Sequence, residues 1–186
     1  MHEENKNPWT TTSSEVVYNN PWIQITHNEV IHPSGNPGIY GCIHFHHIAI
    51  GVLVLDEHNQ TYLVGQFRYP LNHYSWEIPE GGGKPDIPYL ESAKRELLEE
   101  TGIRAKKWRE ITRMHLSNSA SDEFAVIFLA QDLEFGEATP EESEELRLRK
   151  LPFSDFYQEV LDGKITDSLT VAAAYKVRIM QLEGTL

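Results

Sequence analysis

Cysteine is nearly absent from the sequence: Cys42 is the only one in 186 residues, so an internal disulfide bond is impossible. The sequence also lacks any apolar run that approaches the roughly 20 residues needed to cross a bilayer. Its first fifteen residues contain no apolar signal core. We therefore expect a cytoplasmic protein, in a reducing environment and without a membrane partner.

Positive charge is also scarce, since 16 Lys and Arg stand against 28 Asp and Glu and the formal net charge is -12. Contacts of Lys and Arg with phosphates supply most of the affinity of proteins for nucleic acid, so a nucleic acid partner is not expected. The acidity by itself permits two interpretations. Either it keeps the surface soluble, or the carboxylates are gathered in one place to hold cations.

The hydrophobic pattern predicts many short strands and a few helices. Apolar or alternating segments predict strands at 15–30, with a turn at 19–21, and at 39–47, 48–55, 61–68, 124–130 and 146–151. Residues 1–15, 81–86 and 135–145 are predicted as loops, and 50–55 with 61–68 as a hairpin. Helices are expected between Pro88 and Gly102, from a Ser154 cap to Leu161, and from Asp167 or Ser168 to Leu182. This order lacks βαβ regularity and predicts an α+β fold.

The first predicted helix concentrates negative charge on one face. Glu96, Glu99 and Glu100 are three and four residues apart, a spacing at which like charges repel by a few tenths of a kcal/mol. Helix formation gives no reason for this, whereas Mg²⁺ or Mn²⁺ prefers such hard oxygen ligands. A solvated, Glu-rich face remains the alternative. The glycines at 81–83 and at 102 favour a metal or phosphate site, because backbone can approach a ligand closely there, and Arg95 can orient a carboxylate.

These residues together resemble the Nudix signature, which runs Gly, five residues, Glu, seven residues, then Arg-Glu-apolar-any-Glu-Glu-any-Gly-apolar. Gly81 and the block 95–103 match it in register. Ile87 departs from it, at the position of the first Glu, which in the family is generally a supporting residue. The resemblance implies a Nudix fold, a mixed β-sheet sandwiched between helices, here with an N-terminal β-strand extension. It also implies a hydrolase with catalytic Arg95 and with Mg²⁺ or Mn²⁺ held by Glu96, Glu99 and Glu100.

Two further segments resemble the ADP-ribose pyrophosphatase branch of that family. They are Gln66-Phe67-Arg68-Tyr69-Pro70 and Trp76-Glu77-Ile78-Pro79-Glu80-Gly81-Gly82. The branch implies a metal contact from the backbone carbonyl of Glu80, where its members usually have Ala. Arg68 is a candidate for a phosphate or sugar contact. The acidic stretch 141–148 resembles the loop of the branch that carries Glu142 and Glu144, of which one would bind metal or act as the base, with Glu144 as the expected ligand.

The N-terminal segment is interpreted as a separate region, residues 1–45 for dimerisation and base binding, ahead of a Nudix domain at 46–186. The resemblance implies that Trp22 and Tyr40 stack on the base, a contact of roughly 1–3 kcal/mol. The alternative for each is a core or interface aromatic. A homodimer is expected, because a minimal Nudix domain does not need this strand-rich segment.

The predicted activity is metal-dependent hydrolysis of the diphosphate of a small-molecule nucleoside diphosphate sugar such as ADP-ribose. Three alternatives remain: another nucleotide substrate (GDP-mannose, a dinucleotide polyphosphate or NADH), a nucleotide sensor without catalysis, and prenyl diphosphate isomerisation. The last needs a reactive cysteine, and Cys42 lies in an apolar predicted strand. A zinc site at His44 and His46 is disfavoured, because the sequence has neither a Cys pair nor HExxH spacing.

Overall fold

The computed structural model describes residues 6–138 and 145–186 of the chain. The chain divides into two units, one built from the described part of Met1–His47 with His115–Glu123, the other from Ile48–Met114 with the described part of Phe124–Leu186. Among the described residues, no helix is both long and apolar enough to span a membrane.

The first unit contains an antiparallel sheet in the order β1-β2-β3. Its strands are β1 (Thr10–Asn19), β2 (Ile23–Ile31) and β3 (Pro37–Phe45). The turn after β1 is fixed by Asn20, whose side-chain oxygen accepts hydrogen bonds of 2.8 Å from the backbone N–H groups of Trp22 and Ile23. The prediction of a loop for residues 1–15 is wrong from Thr10 onwards. That part of β1 is exposed, so backbone pairing with β2 forms it, and burial leaves no pattern in the sequence.

The described residues of the second unit form two sheets and three α-helices. A four-stranded sheet has the order β7-β4-β9-β8, and a three-stranded sheet the order β10-β5-β6. The strands are β4 (Ile48–Val54), β5 (Gln60–Arg68), β6 (His73–Glu77), β7 (Glu80–Gly83), β8 (Ile103–His115), β9 (Phe124–Phe135) and β10 (Arg147–Pro152). The helices are α1 (Tyr89–Thr101), α2 (Phe153–Leu161) and α3 (Ser168–Leu182). Because β4 pairs antiparallel with β7 and parallel with β9, the sheet is mixed, and the α+β prediction is confirmed.

The predicted hairpin between residues 50–55 and 61–68 is wrong. The tight turn exists, with the Asp56 carboxylate accepting from the backbone N–H groups of His58 and Gln60. It leads, however, from β4 in one sheet to β5 in the other. The side chains of β4 are buried on both faces, as expected for a central strand of a covered sheet, and it pairs with the equally apolar β9. The predicted loop at 81–86 is also wrong in part, because 81–83 belong to β7, which pairs with β4.

Local sequence signals correctly predict the end of α1 and the start of α3, but not the start of α2. Gly102 ends α1 with a left-handed φ of 70°, which suits glycine, and its N–H donates to the Leu98 carbonyl. Asp167 caps α3 by accepting a 2.8 Å hydrogen bond from the Thr170 N–H. The predicted Ser154 cap is wrong, since α2 begins at Phe153 and the Ser154 hydroxyl contacts Asp155. In α1, Ala93 and Leu97 are completely buried in the hydrophobic core against β4 and β9, which leaves the glutamates on another face of the helix.

Candidate active site

Helix α1 and strand β7 hold the predicted glutamates together. Glu96 and Glu100 are buried, with exposed fractions of 8% and 5%, whereas Glu99 is half-buried. The Glu80 N–H donates a 3.0 Å hydrogen bond to a carboxylate oxygen of Glu100. The alternative of a solvated helix face is therefore wrong for Glu96 and Glu100. Burial of a carboxylate is costly unless it is paired or hydrogen-bonded, as Glu96 is with Arg95 and Glu100 is with the Glu80 N–H.

Gly81 makes this arrangement possible. A Cβ atom at position 81 would overlap the carboxylate carbon and both carboxylate oxygens of Glu96. The Glu96 side chain thus lies directly against the backbone of β7, in space that any other residue would fill. The glycine of the signature here provides room for a carboxylate.

Arg95 links the carboxylates of Glu96 and Glu99 to β7. Its Nη1 donates to Glu99 at 2.6 Å, and its Nη2 donates to Glu96 at 2.6 Å and to the Gly82 carbonyl at 3.0 Å. Partial burial lowers the pKa of Arg95, but Glu96 and Glu99 outweigh it and raise that pKa above its usual value. The orienting role that the sequence predicts for Arg95 agrees with these contacts.

A second group of charges surrounds Arg68. Its Nε and Nη2 bind the buried carboxylate of Glu77 at 2.6–3.1 Å, and Nη2 also binds Glu80 at 2.6 Å. Carboxylate oxygens of Glu77, Glu80 and Asp167 lie within 4.8 Å of one another. Burial raises the pKa of Glu80 well above its usual value, with further contributions from Asp167 and Glu77 that Arg68 only partly offsets. We call Glu77, Glu80 and Asp167 the carboxylate triad.

Glu77 and Asp167 are not among the site residues predicted from the sequence. Glu77 stands in the segment 76–82 that resembles the family branch, whereas Asp167 is marked in the sequence as a possible start of the last helix. Glu77 ends β6, and Asp167 precedes α3, ninety residues later in the chain. Only the tertiary fold brings them together.

The structure places the remaining predicted residues as follows. Glu142 and Glu144 lie outside the described residues. Trp22 is 67% exposed, and its ring is available for stacking. The Tyr40 hydroxyl donates to the Ser119 carbonyl at 2.6 Å, and its ring makes a T-shaped contact with the ring of Trp9. Tyr40 therefore already contacts other residues of the first unit.

His44, in β3, and His46, just after it, both make hydrogen bonds. His44 contacts Thr26 at 3.1 Å and Asp122 at 2.8 Å, and His46 contacts Asn19 at 3.3 Å. The Asp122 carboxylate also accepts from the Phe45 N–H. These polar contacts link β3 to neighbouring segments of the first unit.

Comparison with protein families decides the classification, since the NUDIX domain matches residues 45–169. The chain belongs to the Nudix family. The nucleoside diphosphate sugar hydrolase N-terminal domain matches residues 9–43. This Nudix hydrolase is 30% identical over 182 residues to the ADP-ribose pyrophosphatase of Bacillus subtilis (strain 168), with 95% of this chain and 94% of that protein covered.

Two further similarities extend over nearly the whole chain. The ADP-ribose pyrophosphatase of Mycobacterium tuberculosis (strain ATCC 25618 / H37Rv) is 29% identical over 174 residues, which cover 90% of this chain and 82% of that protein. A solved structure described as an ADP compounds hydrolase superposes with a TM-score of 0.81 at 19% identity, covering 96% of this chain and 97% of that one. At that identity the superposition supports the Nudix fold.

Enzymes of this family generally use a divalent cation, and the residues at α1 fit one. The donor set is all oxygen, from Glu96, Glu99 and Glu100, which is the chemistry that hard cations prefer. Glu96 and Glu100 are buried one helical turn apart in α1, an arrangement of carboxylates that a cation could bind. The space above Gly81 lets the Glu96 carboxylate reach this position.

Proposed function

We propose that this hydrolase splits the diphosphate of a nucleoside diphosphate sugar, ADP-ribose or a close analogue, into a nucleoside monophosphate and a sugar phosphate. The observation that carries the proposal is the set of three glutamates on α1. Glu96 and Glu100 are buried beside β7, and Arg95 bonds Glu96 and Glu99. The names of the two pyrophosphatases that resemble the chain along most of its length support the choice of substrate.

Each residue of the site has a proposed role. Glu96, Glu99 and Glu100 hold Mg²⁺ or Mn²⁺ with the backbone carbonyl of Glu80, and Glu144 adds a further ligand. When bound, such cations screen phosphate charge and lower the pKa of water. Arg95 keeps two of the carboxylates in place, and a glutamate (Glu142, Glu144 or one on α1) takes the proton of the attacking water.

Arg68 is proposed to orient the substrate. Its Nε and Nη2 donate to Glu77 and Glu80. The substrate would therefore accept a hydrogen bond from Nη1. Because a guanidinium is planar, two fixed nitrogens fix the third. A phosphate or sugar oxygen that accepts from Nη1 would thus be held at a defined position.

Residues 1–45 are proposed to serve dimerisation and base binding, and 46–186 hydrolysis. Val16, Val17 and Tyr18 of β1 are each more than half exposed, which is unusual for three large apolar residues in a row and suits an interface with a second copy of the chain. Trp22 and Tyr40 are proposed to stack on the base. Light scattering should give about twice the chain mass of 21.4 kDa, and a fully active monomer would contradict the dimer.

A substrate panel tests the proposal. The full chain is incubated with Mg²⁺ and ADP-ribose, GDP-mannose, a dinucleotide polyphosphate or NADH, and the products are identified by mass spectrometry. Release of AMP and ribose 5-phosphate from ADP-ribose, abolished by EDTA, is the expected result. Faster turnover of another compound would move the proposal to that substrate, and binding without hydrolysis would identify a sensor.

A further inference from the structure

The carboxylate triad has more negative charge than its described neighbours balance. Glu77, Glu80 and Asp167 offer carboxylate oxygens within 4.8 Å of one another, and Arg68 is the cation bonded to two of them. In the fully ionised form, in which the carboxylates could bind a cation, the triad and Arg68 together have a formal charge of minus two. One bound divalent cation would neutralise that charge.

Among the described residues, one carboxylate oxygen of the triad has no hydrogen-bond partner. Oε2 of Glu80 has almost no solvent-accessible surface, and among the described residues no hydrogen-bond donor reaches it. Its sister oxygen Oε1 binds Arg68. Buried carboxylate oxygens normally accept hydrogen bonds or bind metal, so this atom indicates a missing cationic or donor ligand. Glu80 is also the residue that replaces the usual Ala of the family branch.

We propose that Glu77, Glu80 and Asp167 form a second divalent cation site, separate from the one on α1. Its ligands would be three carboxylate side chains, whereas the proposed contribution of Glu80 to the α1 site is its backbone carbonyl. All-oxygen ligation selects Mg²⁺, Mn²⁺ or Ca²⁺ over softer metals. The site would neutralise the buried charge beside Arg68, and it does not depend on which substrate the enzyme takes.

The test counts Mn²⁺ ions bound to the full chain by electron paramagnetic resonance of the free ion. Glu80→Gln removes the charge but keeps an oxygen for Arg68 and the backbone carbonyl, and Asp167→Asn keeps an oxygen that can cap α3. Each variant should bind one Mn²⁺ fewer than the unmodified protein, or bind that ion at least about tenfold more weakly. Glu91→Gln, an exposed residue of α1 paired with Lys94, is the control and should bind as many ions as the unmodified chain.

A further variant separates this inference from the proposed function. Glu99→Gln should weaken the α1 site and lower kcat by about 10²–10⁴-fold while the ion of the triad remains bound. Circular dichroism confirms that each variant is folded, and a Mn²⁺ anomalous map of the unmodified protein should show a peak about 2.0–2.6 Å from all three carboxylates. Unchanged Mn²⁺ binding in both Glu80→Gln and Asp167→Asn, or a map without this peak, would overturn the second site and leave the α1 site unaffected.

Discussion

Replacing Gly81 by alanine should separate activity from stability. The new Cβ would overlap the Glu96 carboxylate, which lies at the end of a flexible side chain and can rotate away. Ordinary carbon contacts need about 3.5–4.0 Å, so we expect the carboxylate to move by on the order of 1 Å. A displacement of that size in a catalytic group can lower the rate by about 10²-fold.

Stability should change little in the same variant. Gly81 has no left-handed φ, so alanine fits the backbone and gains about 0.4–1 kcal/mol from a less flexible unfolded chain. Displacement of Glu96 costs an amount of the same order, since overpacking typically costs about 1–3 kcal/mol. Because the displaced carboxylate ends a flexible side chain, we expect its cost to lie at the lower end of that range, so that the net change stays within about 1 kcal/mol and Tm changes by at most about 4 °C for a chain of this size.

The assay measures kcat and the Mg²⁺ concentration for half-maximal activity, together with Tm. We expect kcat to fall by about 10²-fold and the Mg²⁺ requirement to rise. Gly41→Ala is the matched control, because Gly41 also lies in a strand and a Cβ there meets nothing within 4 Å. Wild-type kcat and Mg²⁺ dependence in Gly81→Ala would refute the role assigned to Glu96.

Three further substitutions test the remaining assignments. Glu99→Gln should lower kcat by about 10²–10⁴-fold without unfolding, and EDTA should abolish the activity of the unmodified enzyme until Mg²⁺ or Mn²⁺ is restored; full activity in the variant would contradict the site. Trp22→Ala should raise KM by about 5- to 150-fold with a smaller effect on kcat, whereas an unchanged KM with a lower Tm and a monomeric mass would identify an interface residue. Ile87→Glu should leave kcat within a few-fold, because Ile87 is 39% exposed and Arg95 already has two carboxylates and a carbonyl; a large gain would identify a weakened enzyme.

The partners of Arg95 differ from those that helical spacing alone would suggest. Helical spacing places Glu91, one turn before Arg95, within reach of the Arg95 side chain. The structure pairs Glu91 with Lys94 at 2.8 Å instead, and Arg95 reaches Glu96, Glu99 and the Gly82 carbonyl. Helical spacing identifies the residues within reach of Arg95, but contact with β7 determines the direction in which its side chain points.

Local sequence signals were sufficient for the helix of the site. Apolar spacing and Gly102 define α1 nearly to the residue, and the spacing of Glu96, Glu99 and Glu100 identifies their common face. Burial of two of these glutamates could not be predicted from spacing, because it depends on β7. Strand β7 was not predicted, because three glycines in a row have no side-chain pattern. Its pairing with β4 also joins segments that are far apart in the chain.

Strand pairing was the part of the fold that local signals could not provide. A polar turn of five residues between two apolar segments predicts a hairpin, and the turn itself is present between Asp56 and Gln60. Whether the two strands pair depends on competition from β7 and β9 for the edges of β4. Such competition involves residues far along the chain, which a local pattern does not contain.

The carboxylate triad shows how fold and site depend on each other. Asp167 accepts the Thr170 N–H and so begins α3. The Thr170 hydroxyl in turn accepts a 3.0 Å hydrogen bond from the N–H of Ile78, between Glu77 and Glu80. The start of the helix is thereby tied to the segment that carries the other two carboxylates, within a buried region where unpaired polar groups cost about 1–3 kcal/mol each. The geometry of the triad is thus maintained by backbone contacts that are independent of any cation, and this rigidity is what a preformed binding site requires.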